Sequence, residues 1–229
     1  MKSDEMDARS TLGRRTQEER ASATRQKLCC ATLQCLAELG YKKTSVSQIV
    51  KKAGTTVGAR LHHYPYKIDL VEAAFEYHFE TAIRRVENFL HARDEVSLED
   101  FVDFVWLDTY HGDSFPAVVE GLVAARTDEE LRRRLTPLFE HWYQFQDGAF
   151  RSLFGKTMPD LPLETLLSAT TALFRGMMVV QSVRPDPAYH RRLIDLWMTM
   201  FHDYAAKRGY GGDLVARIAV PDPFQDGGL

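Results

Sequence analysis

Residues 45–67 read SVSQIVKKAGTTVGARLHHYPYK, and this stretch carries the strongest structural signals in the chain. Ser45 and the glutamine three positions later form a capping box, which predicts a short helix that begins here and is broken by Gly54. A further short helix is predicted for TTVGARLHHY and must stop near Pro65, because a proline removes a helical hydrogen bond. The two short helices and their glycine turn predict a helix-turn-helix at residues 45–64.

Helical periodicity extends over nearly the whole chain, and no segment alternates convincingly as a strand does. A first helix from Gln17 to Leu39 is expected to end at Gly40, and a long helix from Lys67 to about Leu90 has two apolar faces, as a connector would. The sequence therefore predicts an all-α protein, with an N-terminal three-helix helix-turn-helix head and a C-terminal helical bundle. The further predicted helices cover residues 97–110, 114–126, 128–154, 162–183 and 187–208.

The predicted organisation has four parts. A flexible arm at 1–15 precedes the DNA-binding head at 16–66, and the ligand-binding and dimerisation domain spans 67–208. The segment 209–229 is rich in Gly, Pro and Asp and is predicted to be a flexible tail. Within the bundle, Pro137 is expected to kink or split its helix.

Composition limits the class of protein. The chain has 229 residues, of which 45% are hydrophobic and 27% charged, a balance typical of globular proteins and not of fibrous or disordered ones. The N-terminus has no apolar signal-peptide region. The longest apolar-leaning run, SATTALFRGMMVV, is too short for a membrane span and contains Arg175. We therefore expect a cytoplasmic protein without a membrane partner.

Charge is unevenly distributed. Residues 1–67 hold 13 Lys and Arg against 6 Asp and Glu, a net charge of +7. Residues 68–229 hold 16 against 26, a net charge of −10. A basic first third on an acidic body indicates that the first third binds a polyanion.

The predicted helix-turn-helix carries groups of the kinds that contact DNA. Its last helix has an outward face of hydroxyl, methyl and ring groups, which suit base edges and thymine methyl groups in a major groove. Hydroxyl, amine and free helix N–H groups around it suit phosphates, and Gly58 allows close approach of the backbone. The candidates for base contacts are Thr55, Thr56, Val57, Leu61 and His62, and those for phosphate contacts are Thr44, Ser45, Tyr64 and Lys67.

A longer series of residues has the order, spacing and type of a known family. Its members are Leu28, Ala31, Leu36-Ala37-Glu38, Gly40-Tyr41, Thr44-Ser45-Val46, Ile49, Ala53-Gly54, Gly58, His62-His63-Tyr64-Pro65, Lys67 and Leu70. Over about residues 22–82 this series resembles the N-terminal domain of the tetracycline-repressor (TetR) family. The resemblance implies an all-α homodimer whose C-terminal half binds a small molecule and thereby releases DNA.

The chain departs from the family pattern at the DNA-reading helix. Where the family has an aliphatic residue followed by tyrosine, this chain has Arg60 and Leu61. The stem of Arg60 would pass the core while its guanidinium reaches solvent or phosphate, and Leu61 can offer only a methyl contact. Val57 stands where a polar or basic group is common. We therefore expect the DNA sequence preference of this protein to be set at these positions.

The sequence contains no convincing catalytic or metal-binding pattern, and no cofactor is expected. His62 and His63 are neighbours, so on a helix they point about 100° apart and cannot share a metal ion. The three cysteines, at 29, 30 and 35, are interpreted as small buried side chains, with a redox-sensing thiol as the alternative. Two other classes of function remain open: a helical small-molecule-processing enzyme or binding protein with a vestigial head, and a helical protein–protein adaptor.

Two aromatic-rich segments of the body, FVWLDTYHGDSF and FEHWYQFQDGAF, predict an apolar cavity with a few polar groups. Such a lining favours a small apolar or aromatic effector; plain core packing is the alternative. The candidate pocket residues are Trp106, Tyr110, His111, Phe115, Trp142, Phe145, Phe174 and Met177.

The last two predicted helices have apolar faces that are broader than one core requires. Pairing them with the same helices of a second copy would form a four-helix interface. A dimer also suits DNA reading, because two heads separated by about 34–36 Å, one turn of DNA, recognise a palindromic operator in double-stranded DNA. The candidate interface residues are Leu166, Thr170, Leu173, Leu193, Trp197, Met200 and Phe201.

Overall fold

A computed structural model describes residues 17–56, 64–212 and 214–217. Helices dominate these residues, which confirms the predicted all-α class. A single π-helical turn, Val105–Tyr110, continues α4. The elements are α1 (Gln17–Lys43), α2 (Val46–Ala53), α3 (Lys67–His91), β1 (Glu95–Ser97), α4 (Leu98–Phe104), α5 (Phe115–Ala125), α6 (Glu129–Phe154), α7 (Leu163–Gln181), α8 (Pro187–Ala206) and β2 (Val215–Arg217).

The local signals of the head are confirmed where the structure describes them. Gly40 has φ 77° and interrupts α1, and Gly54 has φ 61° and caps the end of α2. At the start of α2, the Ser45 hydroxyl accepts the Gln48 N–H while the Gln48 side chain accepts the Ser45 N–H, so both halves of the capping box are present. The short helix predicted after Gly54 falls mostly on residues 57–63, outside the described residues.

Helix α3 joins two hydrophobic cores, as a connector would, although both of its apolar faces pack mainly in the larger core and only its first turn reaches the smaller one. Leu70 belongs to a small core in the head, which also contains Leu28, Cys35 and Ile49. From Val71 onward the buried residues of α3 belong to the large core of the body. One continuous helix therefore packs in both the head and the body.

The C-terminal segment was predicted to be flexible, and this is wrong for residues 214–217. Strand β2 pairs antiparallel with β1, with Val96 opposite Ala216. Leu214, Val96 and Ala216 are buried, so their apolar contacts outweigh the turn-rich composition around them. The rest of the predicted tail beyond this strand, and the predicted arm at 1–15, lie outside the described residues.

The predicted effect of Pro137 is also wrong in part. Helix α6 runs unbroken from Glu129 to Phe154 with Pro137 inside it, so the proline does not split the helix. Pro137 lies on the exposed side of α6, where water can satisfy the carbonyl group that the proline leaves unbonded.

Gly121 allows α5 to pack closely against α3. A Cβ atom at this position would lie 2.2 Å from Cζ of the buried Phe75 ring. We expect Gly121→Ala to lower the free energy of unfolding by about 1–3 kcal/mol, because a rigid core ring must move. The matched control is Gly148→Ala on α6, where nothing lies within 4 Å and the helix gains about 0.5–1 kcal/mol. Urea unfolding of both variants measures the difference; equal stability would contradict the close packing.

Candidate nucleic-acid interface and effector cavity

The start of α2 and the end of α1 form the described part of the candidate DNA surface. Ser45 is the N-cap of α2, so the first N–H groups of this helix point outward beside it. Lys42 and Lys43 at the end of α1 and Lys51 in the last turn of α2 are exposed. The sequence interpretation counted these lysines only as net charge, although their exposure makes them the stronger candidates for phosphate contacts.

Two predicted hydroxyl contacts are contradicted by burial. Thr44 is 2% exposed, and its hydroxyl lies 3.0 Å from the Cys35 carbonyl oxygen and 2.8 Å from that of Gly40. It therefore ties the end of α1 together and cannot reach a phosphate. The hydroxyl oxygen of Thr55 is likewise buried, which contradicts its predicted base contact. Thr56 is exposed, as a base-contacting residue would be.

Tyr64 packs against the head core, and its predicted phosphate contact stays a prediction. Its ring is half-buried and packs against the small core, with its hydroxyl beside the Cys29 thiol. Burial, with the thiol adding to the effect, raises the pKa of Tyr64 to about 12. Burial also raises the pKa of Cys29 to about 11, which keeps this thiol protonated and supports the interpretation of a structural cysteine.

The Lys67 side chain contacts Tyr41 of the same chain. Its Nζ donates to the Tyr41 carbonyl oxygen at 2.5 Å and lies 4.0 Å from the centre of the Tyr41 ring. Burial lowers the pKa of Lys67. This amine therefore anchors the first residue of α3 to the end of α1, and its predicted phosphate contact stays a prediction. The remaining predicted DNA contacts lie outside the described residues: Val57, Gly58, Arg60, Leu61 and His62.

Further polar contacts connect the end of α1 and the start of α3 to helices of the body. The Tyr41 N–H donates to Oε1 of Glu120, on α5, at 2.7 Å. From α6, Arg134 pairs with Asp69 at 3.1 Å and with Glu72 at 2.7 Å, both on the first turns of α3. The start of α3 is thus held to the end of α1 and to α6, while the end of α1 is held to α5.

A small apolar cavity lies between α3, α4 with its π-helical turn, α6 and α7. Its volume is about 10 Å³, which is room for about one water molecule. Val86 brings α3 to the cavity wall, and Thr109 and Gln146 are its polar groups. The lining residues are Val86, Phe101, Val105, Thr109, Trp142, Phe145, Gln146, Ala149 and Leu167.

Two of the predicted pocket residues, Trp142 and Phe145, line this cavity. His111 is exposed, which contradicts its predicted place in the pocket. The other predicted pocket residues are buried in the core away from this cavity. Among them, the centre of the Tyr110 ring lies 4.7 Å from that of Phe115 and 5.3 Å from that of Phe174. The sequence interpretation missed the aliphatic and polar lining residues, since their spacing alone does not separate them from ordinary core positions. The predicted pocket residues that are buried outside the lining are Trp106, Tyr110, Phe115, Phe174 and Met177.

Exposed and half-buried apolar residues form a stripe on α7 and another on α8. On α8 the stripe is Tyr189, Leu193, Leu196 and Met200, with steps of four, three and four residues that keep one face of a helix. On α7 the stripe has Ala169, Leu173, Gly176 and Val180, again in steps of four and three, and the exposed Val183 follows in the turn after the helix. Such stripes are typical of helices that pack against further helices.

The predicted interface residues divide into three groups. Met200 is exposed, whereas Leu166, Leu173, Leu193 and Trp197 are half-buried and pack against the core of the protomer. Thr170 and Phe201 are buried, which contradicts their predicted places in the interface. Thr170 accepts a hydrogen bond from Nε1 of Trp197 at 2.9 Å, so it connects α7 to α8 within one copy.

The described residues hold no group of three or more His, Cys, Asp or Glu side chains that could bind a metal ion. Among them, α7 alone is long and apolar enough to cross a membrane by length and composition. This helix buries Leu167, Phe174 and Met177 in the core.

Residues 30–74 of the chain match the family described as bacterial regulatory proteins, tetR family. The HTH-type transcriptional regulator CymR of Pseudomonas putida is 37% identical over 125 residues, 52% of this chain and 59% of CymR. An uncharacterized HTH-type transcriptional regulator of Mycobacterium tuberculosis is 27% identical over 187 residues, 80% of this chain and 94% of that protein. The structure of the transcriptional regulator FadR from Bacillus subtilis, solved in complex with stearoyl-CoA, is similar to this one with a TM-score of 0.60 at 18% identity. The similarity covers 75% of this chain and 96% of the FadR chain. At this low identity, the similarity to FadR shows a shared fold and nothing more.

Proposed function

Because the chain belongs to the TetR family of transcriptional regulators, we propose that it is a ligand-responsive repressor that a small, largely apolar effector releases from its operator. The operator is a palindrome in double-stranded DNA, read by the two heads of a homodimer in the cytoplasm. Lys42, Lys43 and Lys51 hold the phosphates beside the α2 N-cap Ser45. Thr56 and the residues that follow it, with Arg60 and Leu61, set the base preference.

The observation that carries this proposal is the place of α3 in both domains. Val86 lines the body cavity, and Lys67, at the other end of the same helix, is bound to the end of α1 in the head. The 19 residue steps from one to the other span about 28 Å of helix, so α3 is long enough to act as a lever. A ligand larger than the cavity moves Val86, and the same rigid helix then tilts the head.

The direction of the response follows from differential affinity. The effector must bind the released conformation more tightly than the DNA-bound one, because equal affinity for both shifts nothing. The cavity of about 10 Å³ suits a DNA-binding state that is closed to the effector. The FadR structure in complex with stearoyl-CoA, whose acyl chain is apolar, supports an effector with a large apolar part in a protein of this fold.

Dimerisation uses α7 and α8. The stripes on these helices, with the exposed Val180 on α7 and Leu196 and Met200 on α8, pack against the same stripes of the second copy. Two helices from each copy form a four-helix interface, a geometry that buries apolar faces around a twofold axis.

The test is DNA binding to the promoter region beside the gene of this protein, measured by fluorescence anisotropy at several salt concentrations. We expect sequence-selective binding that weakens with salt. Replacing Lys42 and Lys43 by alanine should weaken every site alike and lower the slope of log K against log salt by up to about 2, at about 0.9 for each lost phosphate contact.

The matched control is Lys156→Ala, which removes an exposed lysine after α6 in the body and should leave both affinity and slope unchanged. Absence of any salt-dependent, sequence-selective binding would refute the repressor. Normal binding by the double variant would refute only the assignment of phosphate contacts to Lys42 and Lys43.

A further inference from the structure

Thr109 differs from the other buried threonines in the helices of this protein. It is 8% exposed, and its hydroxyl oxygen is buried with no hydrogen-bond partner among the described residues. Five threonines on the α-helices instead donate to the carbonyl oxygen four residues earlier, at 2.7–2.9 Å. They are Thr24, Thr32, Thr136, Thr170 and Thr199.

The π-helical turn explains the difference. Within Val105–Tyr110 the backbone is wound more widely than in an α-helix, and His111 N–H donates to the Trp106 carbonyl five residues earlier. This register moves the carbonyl group that a threonine hydroxyl would otherwise reach. Leaving a buried hydroxyl unbonded is unfavourable, so the turn keeps Thr109 at a cost in stability.

Thr109 faces the body cavity together with one other polar group. The wall consists of the aromatic rings of Phe101, Trp142 and Phe145, several aliphatic side chains, and the side chain of Gln146. No Asp, Glu, Lys, Arg or His is present among its described lining residues. An ionised ligand would lose its water there without gaining a counter-ion, which is strongly unfavourable.

We infer that the effector is a neutral ring compound bearing one hydroxyl or carbonyl group, and that Thr109 is the residue that hydrogen-bonds this group. The inference rests on the proposed effector site in the body. The ring stacks against Trp142, and the half-buried Phe145 and Gln146 are the wall residues that move to admit it. The ligand group thereby bonds a hydroxyl that no described residue of the protein satisfies.

The experiment uses three probes of similar shape: 4-ethylphenol, 4-ethyltoluene and the 4-ethylbenzoic acid anion. Binding to the full chain without DNA is measured by calorimetry and by tryptophan fluorescence, which Trp142 in the wall should report. We expect 4-ethylphenol to bind about tenfold more tightly than 4-ethyltoluene, the effect of one net hydrogen bond. The anion should show no saturable binding.

Two variants test the role of Thr109. Thr109→Val should remove the preference for the phenol over the toluene and should leave Tm unchanged or raised, because an unbonded hydroxyl is lost from the free protein. Thr109→Ser should retain the preference. As a control, Thr32→Val removes a bonded hydroxyl in the head and should lower Tm without changing ligand preference.

Three results would overturn the inference: a preference for the phenol that survives in Thr109→Val, binding of the anion as tight as that of the phenol, or failure of all three probes to bind. These results are independent of the proposed function, since no DNA is present. A protein that binds 4-ethylphenol through Thr109 but binds no operator would refute the repressor and leave the ligand class intact.

Discussion

Replacing both Leu196 and Met200 by glutamate is expected to lower operator affinity by roughly 100-fold, because four carboxylates would face one another across the proposed dimer interface. Leu196 is 57% exposed and Met200 55% exposed on the outer face of α8. Their substitution therefore leaves the core of the protomer intact. The heads of separated protomers bind half-sites independently and lose the gain from simultaneous contact.

Analytical ultracentrifugation should show a shift from dimer to monomer in this variant, with a helical circular dichroism spectrum that is unchanged. The matched control is Val123→Glu on α5, where a residue that is 56% exposed receives the same charge away from the two stripes. The control should remain dimeric and bind the operator normally. A double variant that stays dimeric with native affinity would show that another surface forms the dimer.

The sequence was sufficient to predict the head wherever the signal is local. The capping box at Ser45 and the positive φ of Gly54 depend on residues within one or two turns, so their effect could be read without the rest of the fold. The direction of a side chain could not be read in this way. Thr44 points inward because the carbonyl groups of Cys35 and Gly40 lie there, and Lys67 is drawn to Tyr41 across 26 residues.

The body shows the same limit more strongly. The pairing of Val96 with Ala216 joins residues that are distant in the chain. Each strand has only three residues, which is too short for an alternating pattern to predict it. The π-helical turn at Val105–Tyr110 also follows from packing, since the segment has an ordinary helical pattern. Aromatic content predicted that a cavity would form near Trp142 and Phe145, but Thr109, the unbonded hydroxyl in its wall, gave no signal of its own in the sequence.

Filling the cavity from α3 is expected to imitate the effector. In Val86→Phe, a ring must enter a space of about 10 Å³ at the point where α3 meets α4, α6 and α7. The resulting overpacking costs about 1–3 kcal/mol, and α3 can relieve it by moving away from the wall. If the released state relieves this strain, operator affinity falls by about 5–150-fold, the equivalent of that free energy.

Fluorescence anisotropy with operators of native and altered half-site spacing measures the change in affinity. If the heads move apart, the affinity lost at the native spacing should be partly recovered at another spacing. The control is Leu153→Phe, which overpacks the same core from α6 outside the cavity lining. It should lower Tm to a similar extent without changing operator affinity. Native affinity in Val86→Phe together with a lowered Tm would show that strain at the cavity does not reach the heads, and α3 would then be a passive connector.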